Sequence, residues 1–204
     1  MSIEERFPLF PLAIVALPGE EIALHIFEQR YRLMIAECIE RDGEFGILWL
    51  SEDELKPVGC SCAVERVLER MEDGRFNVLV RGRRPFRLIE RDDSLAYPAG
   101  TIEPLEDTQE ARDPQAVAEA RSAYATLVEA ALDRVPQDGQ LEGMNAYDMA
   151  RTVEFALATK QELLELRSEN ARLRLLAQVL AAAISQLERA ERAGESAQSN
   201  GALR

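Results

Sequence analysis

The sequence predicts an α+β protein: a β-rich N-terminal half holding one helix, followed by an α-helical bundle. Three observations carry that expectation. Up to about residue 105, short runs rich in β-branched and aromatic residues are separated by Gly and Pro. One stretch of this half, 26–42, instead repeats its apolar residues at helical spacing. Beyond 106, Ala, Leu, Glu and Arg dominate.

In chain order, 7–17 reads as an extended strand, because Pro8 and Pro11 forbid a helix interior but suit an edge strand or a bulge. Pro18-Gly19 is a turn, and 21–24 resumes the extended backbone. From Ile26 the period changes. Phe27, Tyr31, Met34, Ile35, Cys38 and Ile39 share one helical face, with Glu28, Arg30, Arg32, Glu37 and Glu40 opposite, and Gly43 is the expected C-cap. Strand-like runs follow at 45–50, 59–68, 76–80, 86–89 and 97–102. Asp73-Gly74 marks a hairpin, and Gly82-Arg83-Arg84-Pro85 reads as a turn between strands. Six or so short strands with one helix point to a small, partly closed barrel-like sheet.

In the second half, Asp113 caps a helix whose first residue is Pro114 and which runs to about 135. A loop spans 136–143, and Asn145 opens a helix to about 158. Thr159 and Glu162 form a capping-box pattern that opens the longest helix, to about 192. The expected organisation is therefore a β-rich part at 1–105, a helical part at 106–193 whose first residues, 106–113, form an acidic linker, and a flexible tail at 194–204.

Composition limits the function. With 204 residues, 47% of them apolar, the chain can bury a core without staples. Its 24 basic and 37 acidic side chains give a net charge of −13. That balance argues against nucleic acid and anionic membrane surfaces, both of which reward Lys and Arg. Three cysteines cannot all pair within one chain, which fits a reducing compartment. The apolar run 7–17 lacks the basic flank of a signal peptide, since Glu4 and Glu5 precede it. No run reaches the roughly 20 apolar residues of a membrane span. A soluble, cytoplasmic protein is expected.

Longer motifs are more specific. The series Phe7-Pro8-Leu9-Phe10-Pro11-Leu12, Leu17-Pro18-Gly19-Glu20-Glu21 and Leu24-His25-Ile26-Phe27-Glu28-Gln29-Arg30-Tyr31-Arg32-Leu33-Met34 resembles the opening of the Lon protease N-terminal domain. That domain also occurs alone in small bacterial proteins and in cereblon. The likeness continues through Phe45-Gly46, Val58-Gly59, Asp73-Gly74-Arg75-Phe76 and 81–87, then Lys160-Gln161-Glu162-Leu163-Leu164-Glu165 and Arg172-Leu173. The resemblance implies a PUA-like pseudo-barrel followed by a helical bundle, recognition of protein substrates or partners, and no cofactor. The family's hydrolytic parts are separate domains. No Gly-x-x-x-x-Gly-Lys-Ser/Thr pattern is present, and neither lysine, Lys56 or Lys160, has the family peptidase's serine context. The expectation is a stand-alone, non-enzymatic recognition module without ATPase or peptidase.

Other motifs compete with that reading. His25, the one histidine, could serve Cys38 or Cys60 as a base in a hydrolase, but Cys38 falls on the apolar helix face, where a neutral thiol is a poor nucleophile. The resemblance gives His25 a role in capping or orienting the helix start. Cys60-x-Cys62 lacks the spacing of a structural zinc site and reads as two small core residues sharing a strand face. Arg81, Arg83, Arg84 and Arg87 could contact RNA, as some PUA-like folds do, but they read as turn arginines paired with nearby carboxylates. Leu166, Leu173, Leu180 and Leu187 recur every seven residues, beside Leu163, Asn170, Ala177 and Ile184. Further apolar faces favour internal packing, and monomer and homodimer both remain open.

The expected partners are unfolded or specific protein segments. Their groove is expected where the first strand, the Pro18-Gly19 turn and the helix start meet, at Phe10, Leu12, Leu24, His25, Phe27 and Tyr31; the junction of the two halves is the other candidate. The proline-bearing strand should leave one edge incompletely paired.

Overall fold

One long strand receives most of the others. The computed structural model describes residues 3–52, 54–132 and 138–201. Its β-rich elements are β1 (Glu4–Leu12), β2 (Glu21–Ile26), α1 (Gln29–Arg41), β3 (Glu44–Ser51), β4 (Glu54–Arg70), β5 (Phe76–Asp92) and β6 (Ala99–Pro104). They are followed by α2 (Pro114–Leu132), α3 (Asp138–Leu141), α4 (Ala146–Ala150), α5 (Leu157–Glu165) and α6 (Glu169–Gly201). The α+β class is as expected.

The chain divides into two units, one of Met1–Thr108 with Ala150–Arg167 and one of Gln109–Met149 with Ser168–Arg204. In the first, the strand order β2-β5-β4-β3-β1-β6 is closed by a further pairing of β5 with β6. The ring β5–β4–β3–β1–β6 is the pseudo-barrel. All pairings are antiparallel except β1 with β3, where Leu9 lies opposite Gly46 and Leu12 opposite Trp49.

The expected turn at 82–85 is instead the middle of β5. The first part of β5, Phe76–Arg81, pairs with β2, and the part from Phe86 to Asp92 pairs with β6. Between them, Cys60 of β4 faces Pro85 and Cys62 faces Gly82, so Arg83 and Arg84 stand against the single residue Ser61. A bulge absorbs the proline and bends the strand without ending it. At this bend β1's continuation crosses β5. The expected 7–17 strand stops at Leu12, and Val15, Ala16 and Leu17 fold inward to full burial. The Gly82 N–H donates to the Glu20 carbonyl at 2.9 Å, and the Gly19 N–H donates to the Gly82 carbonyl at 2.9 Å. A Cβ at Gly82 would lie 2.1 Å from the Leu17 carbonyl oxygen.

The barrel core packs Phe7 edge-on against Phe86, with ring centroids 5.7 Å apart, among Leu9, Leu48 and Ile102. Gly46 leaves the space that the Phe86 ring fills, since a Cβ there would sit 2.4 Å from it. Cys60 and Cys62 are fully buried on β4, as small core residues. Helix α1 buries Tyr31, Met34, Ile35 and Cys38. It starts at Gln29, so Phe27 precedes it and does not join its apolar face. Its left-handed C-terminal residue is Asp42 (φ 49°), not Gly43, whose N–H still caps the Cys38 carbonyl at 2.8 Å.

Helix α5 belongs with the strands, although its residues were expected in the helical half. The Lys160 ammonium bonds both carboxylate oxygens of Glu20, at 2.6 and 2.8 Å, and Glu20 also accepts the Leu17 N–H at 2.9 Å. The Gln161 amide donates to the Val58 carbonyl at 3.1 Å. Thr159 does not cap it; the N-cap position is Ala156, without a side-chain cap bond. The expected single helix from 159 to 192 is thus two. Leu166 is extended, and α6 starts afresh with Ser168, whose hydroxyl accepts the Ala171 N–H at 3.0 Å. Helix α6 runs on to Gly201 through most of the expected tail; residues 202–204 lie outside the described residues.

In the second unit, α2 and α6 pack together, burying Ala116, Ala120, Tyr124 and Leu127 against Leu173, Leu176 and Leu180. Of the heptad leucines, Leu173 and Leu180 therefore serve internal packing, Leu166 falls before α6, and Leu187 is exposed. Asp113 caps α2 as expected, accepting the Gln115 N–H at 2.9 Å. The end expected near 135 falls outside the described residues, as does the start of the 136–143 loop, whose later part is α3. Asn145 and Asp148 exchange cap bonds of 2.9 and 3.0 Å, but α4 ends at Ala150, well short of 158. Buried Arg172 is held by Glu169 at 3.1 Å, and its guanidinium lies 4.6 Å from the Tyr147 ring centroid.

Two measurements test this account. Gly82→Ala forces Leu17 or β5 to move, so it should cost about 3 kcal/mol, seen as a lower denaturant midpoint, or the variant should fail to fold. An unchanged midpoint means that the crossing is misplaced. The second concerns acid. A hydrogen bond from Arg174, then the Gln115 N–H, holds the Asp113 carboxyl below its ordinary range, and the Ser168 hydroxyl followed by the Asn170 N–H does the same for Glu110. Depressed carboxyl values stabilise the fold above the unfolded range, near pH ~4, and that stabilisation is lost as pH falls through the folded values. Asp113→Asn should therefore lower the melting temperature at neutral pH, by an amount that shrinks as pH falls below the unfolded carboxyl range.

Candidate functional site

An apolar groove of about 480 Å³ opens where β1, the end of β2 and the start of α1 converge. The structure brings together five of the six residues expected there: Phe10 and Leu12 from β1, His25 from β2, and Phe27 and Tyr31 at the helix start. Leu24 does not line it. Side chains alternate along β2, so Leu24 shares a face with Ile22 and Ile26, of which Ile26, at the strand's end, reaches the groove, while His25 is exposed. Beside Pro11, Ile26, Glu28 and Arg30, the lining is joined by Leu50, Leu55, Arg91 and Pro98 from β3, β4, β5 and the residue before β6. Their sequence environment carries no signal for this role. Leu50 ends a continuous apolar run, and its partners come from elsewhere in the ring.

The floor is aromatic and the rim is apolar. Phe10 and Tyr31 are buried, with ring centroids 4.1 Å apart, and Phe10 also approaches Phe45 at 6.3 Å. At the rim, Phe27 is 59% exposed and Leu50 41%. Large apolar side chains left in water at the mouth of an apolar groove make this a candidate contact surface. β1 contributes through a change of partner. Its β6 register ends at Pro8, whereas its β3 register runs from Leu9 to Leu12. Among the described strands, 10–12 thus pair on their β3 side only, and Pro11 has no N–H to donate.

Polar groups frame this surface. The Arg30 guanidinium lies 4.6 Å over the Tyr31 ring and pairs with Glu28 at 2.9 Å. Burial pushes the Tyr31 phenol up, with Arg30 opposing and Glu28 adding to the shift. His25 does not cap α1. It stacks on Phe27, with centroids 5.8 Å apart, and its Nδ1 lies 2.7 Å from Asn77 Oδ1 across the β2–β5 pair. Asn77 donates its amide to Glu69 at 3.0 Å, so its oxygen accepts and His25 Nδ1 carries the proton. The imidazole is thereby fixed in orientation, with Nε2 directed away from this bond.

The alternative chemistries find little support. Burial pushes the Cys38 thiol up to about 11, and its Sγ contacts the Glu44 carbonyl at 3.9 Å. The Cys60 hydrogen bond and burial raise Cys62 as well. Neither is poised as a thiolate nucleophile. Among the described residues, no three His, Cys, Asp or Glu side chains are grouped to hold a metal ion. Three of the four arginines expected to pair with carboxylates do so: Arg81 with Glu21 and Glu65, Arg83 with Glu65, and Arg84 with Glu4 and Glu44; among the described residues, no such pairing is seen for Arg87. They do so from a bulged strand and not from a turn. No described helix is long and apolar enough to cross a membrane.

Known proteins share this architecture. Residues 6–182 match the family described as the ATP-dependent protease La (LON) substrate-binding domain. Over 117 residues the chain is 28% identical to Lon protease of Parabacteroides distasonis, covering 53% of this chain but 14% of that much longer protein. The fold is similar to that of a Lon N-terminal domain protein from Xanthomonas campestris, with a TM-score of 0.65 and 24% identity over 89% of this chain and 98% of that one. It is equally similar to the N-terminal domain of a Mycobacterium avium complex Lon protease, at a TM-score of 0.65 and 21% identity over 87% and 98% of the two chains.

The two aromatic residues at the helix start should respond differently to truncation. Tyr31→Ala removes a buried ring and should cost about 3–5 kcal/mol. Phe27→Ala removes an exposed one and should change stability by less than about 0.5 kcal/mol. Urea melts of both variants decide; equal losses would place Phe27 in the core after all.

Proposed function

The chain belongs to the family of Lon substrate-binding domains, and from that premise we propose that it is a non-enzymatic module that recognises exposed apolar segments of other proteins. The observation that carries this reading is the groove floored by Phe10 and Tyr31 and rimmed by exposed Phe27 and Leu50. An unfolded segment offers aliphatic and aromatic side chains that gain about 25 cal/mol per Å² on leaving water. The side of β1 at 10–12 away from β3 can accompany an extended backbone, and the prolines keep that edge from pairing indiscriminately. A shallow groove with few directional bonds accepts many sequences, at modest affinity.

The family name speaks of a protease, but the matched part of the Parabacteroides enzyme is 14% of its length, and the buried thiols here support binding over cleavage. The paired arginines on β5 favour a protein ligand over RNA.

The test uses a thiol-blocked, permanently unfolded protein and a neutral apolar peptide derived from it. Chemical-shift mapping should place perturbations at Phe27, Leu50, Phe10 and Tyr31. Phe27→Ala with Leu50→Ala should weaken binding by about tenfold, the loss of one to two kcal/mol of apolar contact. Affinity for the neutral peptide should change little between ~50 and ~200 mM salt, where phosphate-driven binding would fall by orders of magnitude. Perturbations confined to α6, or none at high peptide concentration, would remove the groove from consideration.

A further inference from the structure

A second basin adjoins the groove across a ridge made by Glu28 and Arg30, which line both. It is wider, about 870 Å³, and its floor is apolar: Leu33, 44% exposed, with Ala36 and Phe76. Around that floor stand three guanidiniums, those of Arg30, Arg32 and Arg70, and one lining carboxylate, Glu28. Glu28 is already engaged by Arg30 at 2.9 Å. Arg32 donates to the Asp73 carbonyl at 3.0 Å, and the Asp73 carboxylate bonds the Arg75 side chain at 2.7 Å while lying near enough to Arg32 to feel its charge, so this one carboxylate is shared between two guanidiniums. Arg70 lies over the Phe76 ring, 5.5 Å from its centroid, at the exposed end of β4. The first turn of α1 carries no acidic residue to offset these charges. A chain of net charge −13 thus keeps a local excess of positive charge beside its apolar groove. On β5, by contrast, the same residue type is matched by carboxylates.

We propose that this basin is a subsite for acidic side chains, so that the segments this protein prefers carry an apolar or aromatic residue for the groove and Asp or Glu a few residues away. The proposal rests on the groove being the protein-binding site and adds its charge preference. Guanidiniums on a planar apolar floor suit carboxylates, which they can bind bidentately while the aliphatic stem lies on Leu33 and Phe76. In an extended segment, side chains on one face repeat about every 7 Å. An apolar anchor and a following acid can therefore straddle the single Glu28–Arg30 ridge. Complementary charge of this kind raises the rate of encounter and selects among partners more than it tightens binding.

Fluorescence anisotropy with one labelled peptide series provides the test. Each peptide carries the same Phe-Leu anchor, followed at two, four or six positions by a pair of Glu, Gln or Lys residues. The Glu peptides should bind about five- to tenfold tighter than the Lys peptides at one or more spacings, with the Gln peptides between. That spread should shrink as salt rises from ~50 to ~300 mM. Arg70→Glu should abolish or reverse the order, and Arg32→Gln, a milder change on a different element, should narrow it. Circular dichroism melts report whether each variant is folded. Equal affinity for all three charge types overturns the acidic subsite but leaves the groove standing, as does an order that survives both substitutions. Failure of every peptide to bind overturns both.

Discussion

The β-rich unit depends on one backbone crossing, where the segment after β1 passes over β5 at Gly82. There, two hydrogen bonds of 2.9 Å take the place of a neighbouring strand, and a side chain of any size would collide with the Leu17 carbonyl. Because Gly82 is satisfied at this point, β5 can exchange partners without breaking: β2 on one side of the crossing, β6 on the other. The exchange closes the ring, and a closed ring has no long free edge along which to aggregate. The Glu20–Lys160 pair reinforces the crossing from α5. Its partners are 140 residues apart in sequence and lie within 2.6 Å. Both side chains are largely shielded, and the Leu17 N–H bonds the carboxylate as well, as a shielded pair needs if its attraction is to offset desolvation.

The groove follows from the same constraint. After Leu9, β1 keeps β3 as its partner but parts from β6, since its residues must soon turn inward towards the crossing. The gap that this leaves is filled from one side by the start of α1. Tyr31 packs on Phe10 and closes the floor, while Phe27, two residues before the uncapped helix start, has no core to enter and stays at the rim. The imidazole of His25, tied through Asn77 to Glu69, backs the Phe27 ring. An exposed phenylalanine held by a stacked neighbour loses less conformational freedom on binding than a loose one. The floor is thus built for stability, while the rim is left in water.

Much of this was legible from the chain alone. Alternation, helical periodicity and the Pro-Gly and Asp-Gly signals are local, readable within a few residues, and they place the α+β order, the buried face of α1 from Tyr31 to Cys38, the Asp113 cap and the core cysteines. The motif from Phe7 to Met34 carried the family and, through it, five of the six groove residues. Its weak point was Phe27, which fits the helical period of Tyr31 and Met34 but precedes the helix by two positions. Periodicity cannot report where the first turn begins when Glu28 supplies no cap bond.

What only the tertiary structure decided are the matters whose hydrogen-bond or packing partners lie far away. Gly82-Arg83-Arg84-Pro85 has the composition of a turn, and it becomes strand because Ser61 and Glu20 come from 23 and more residues away to receive it. The run from Thr159 onward has the composition of one helix, and it becomes two because Thr108 and Glu106 bond Arg167 and so draw the chain between α5 and α6 into extended form. Leu50, Leu55 and Pro98 meet at the groove because the ring closes. Propensity and period are properties of neighbours along the chain; closure of the ring, the bulge and the groove are settled by which distant backbone groups each residue must satisfy.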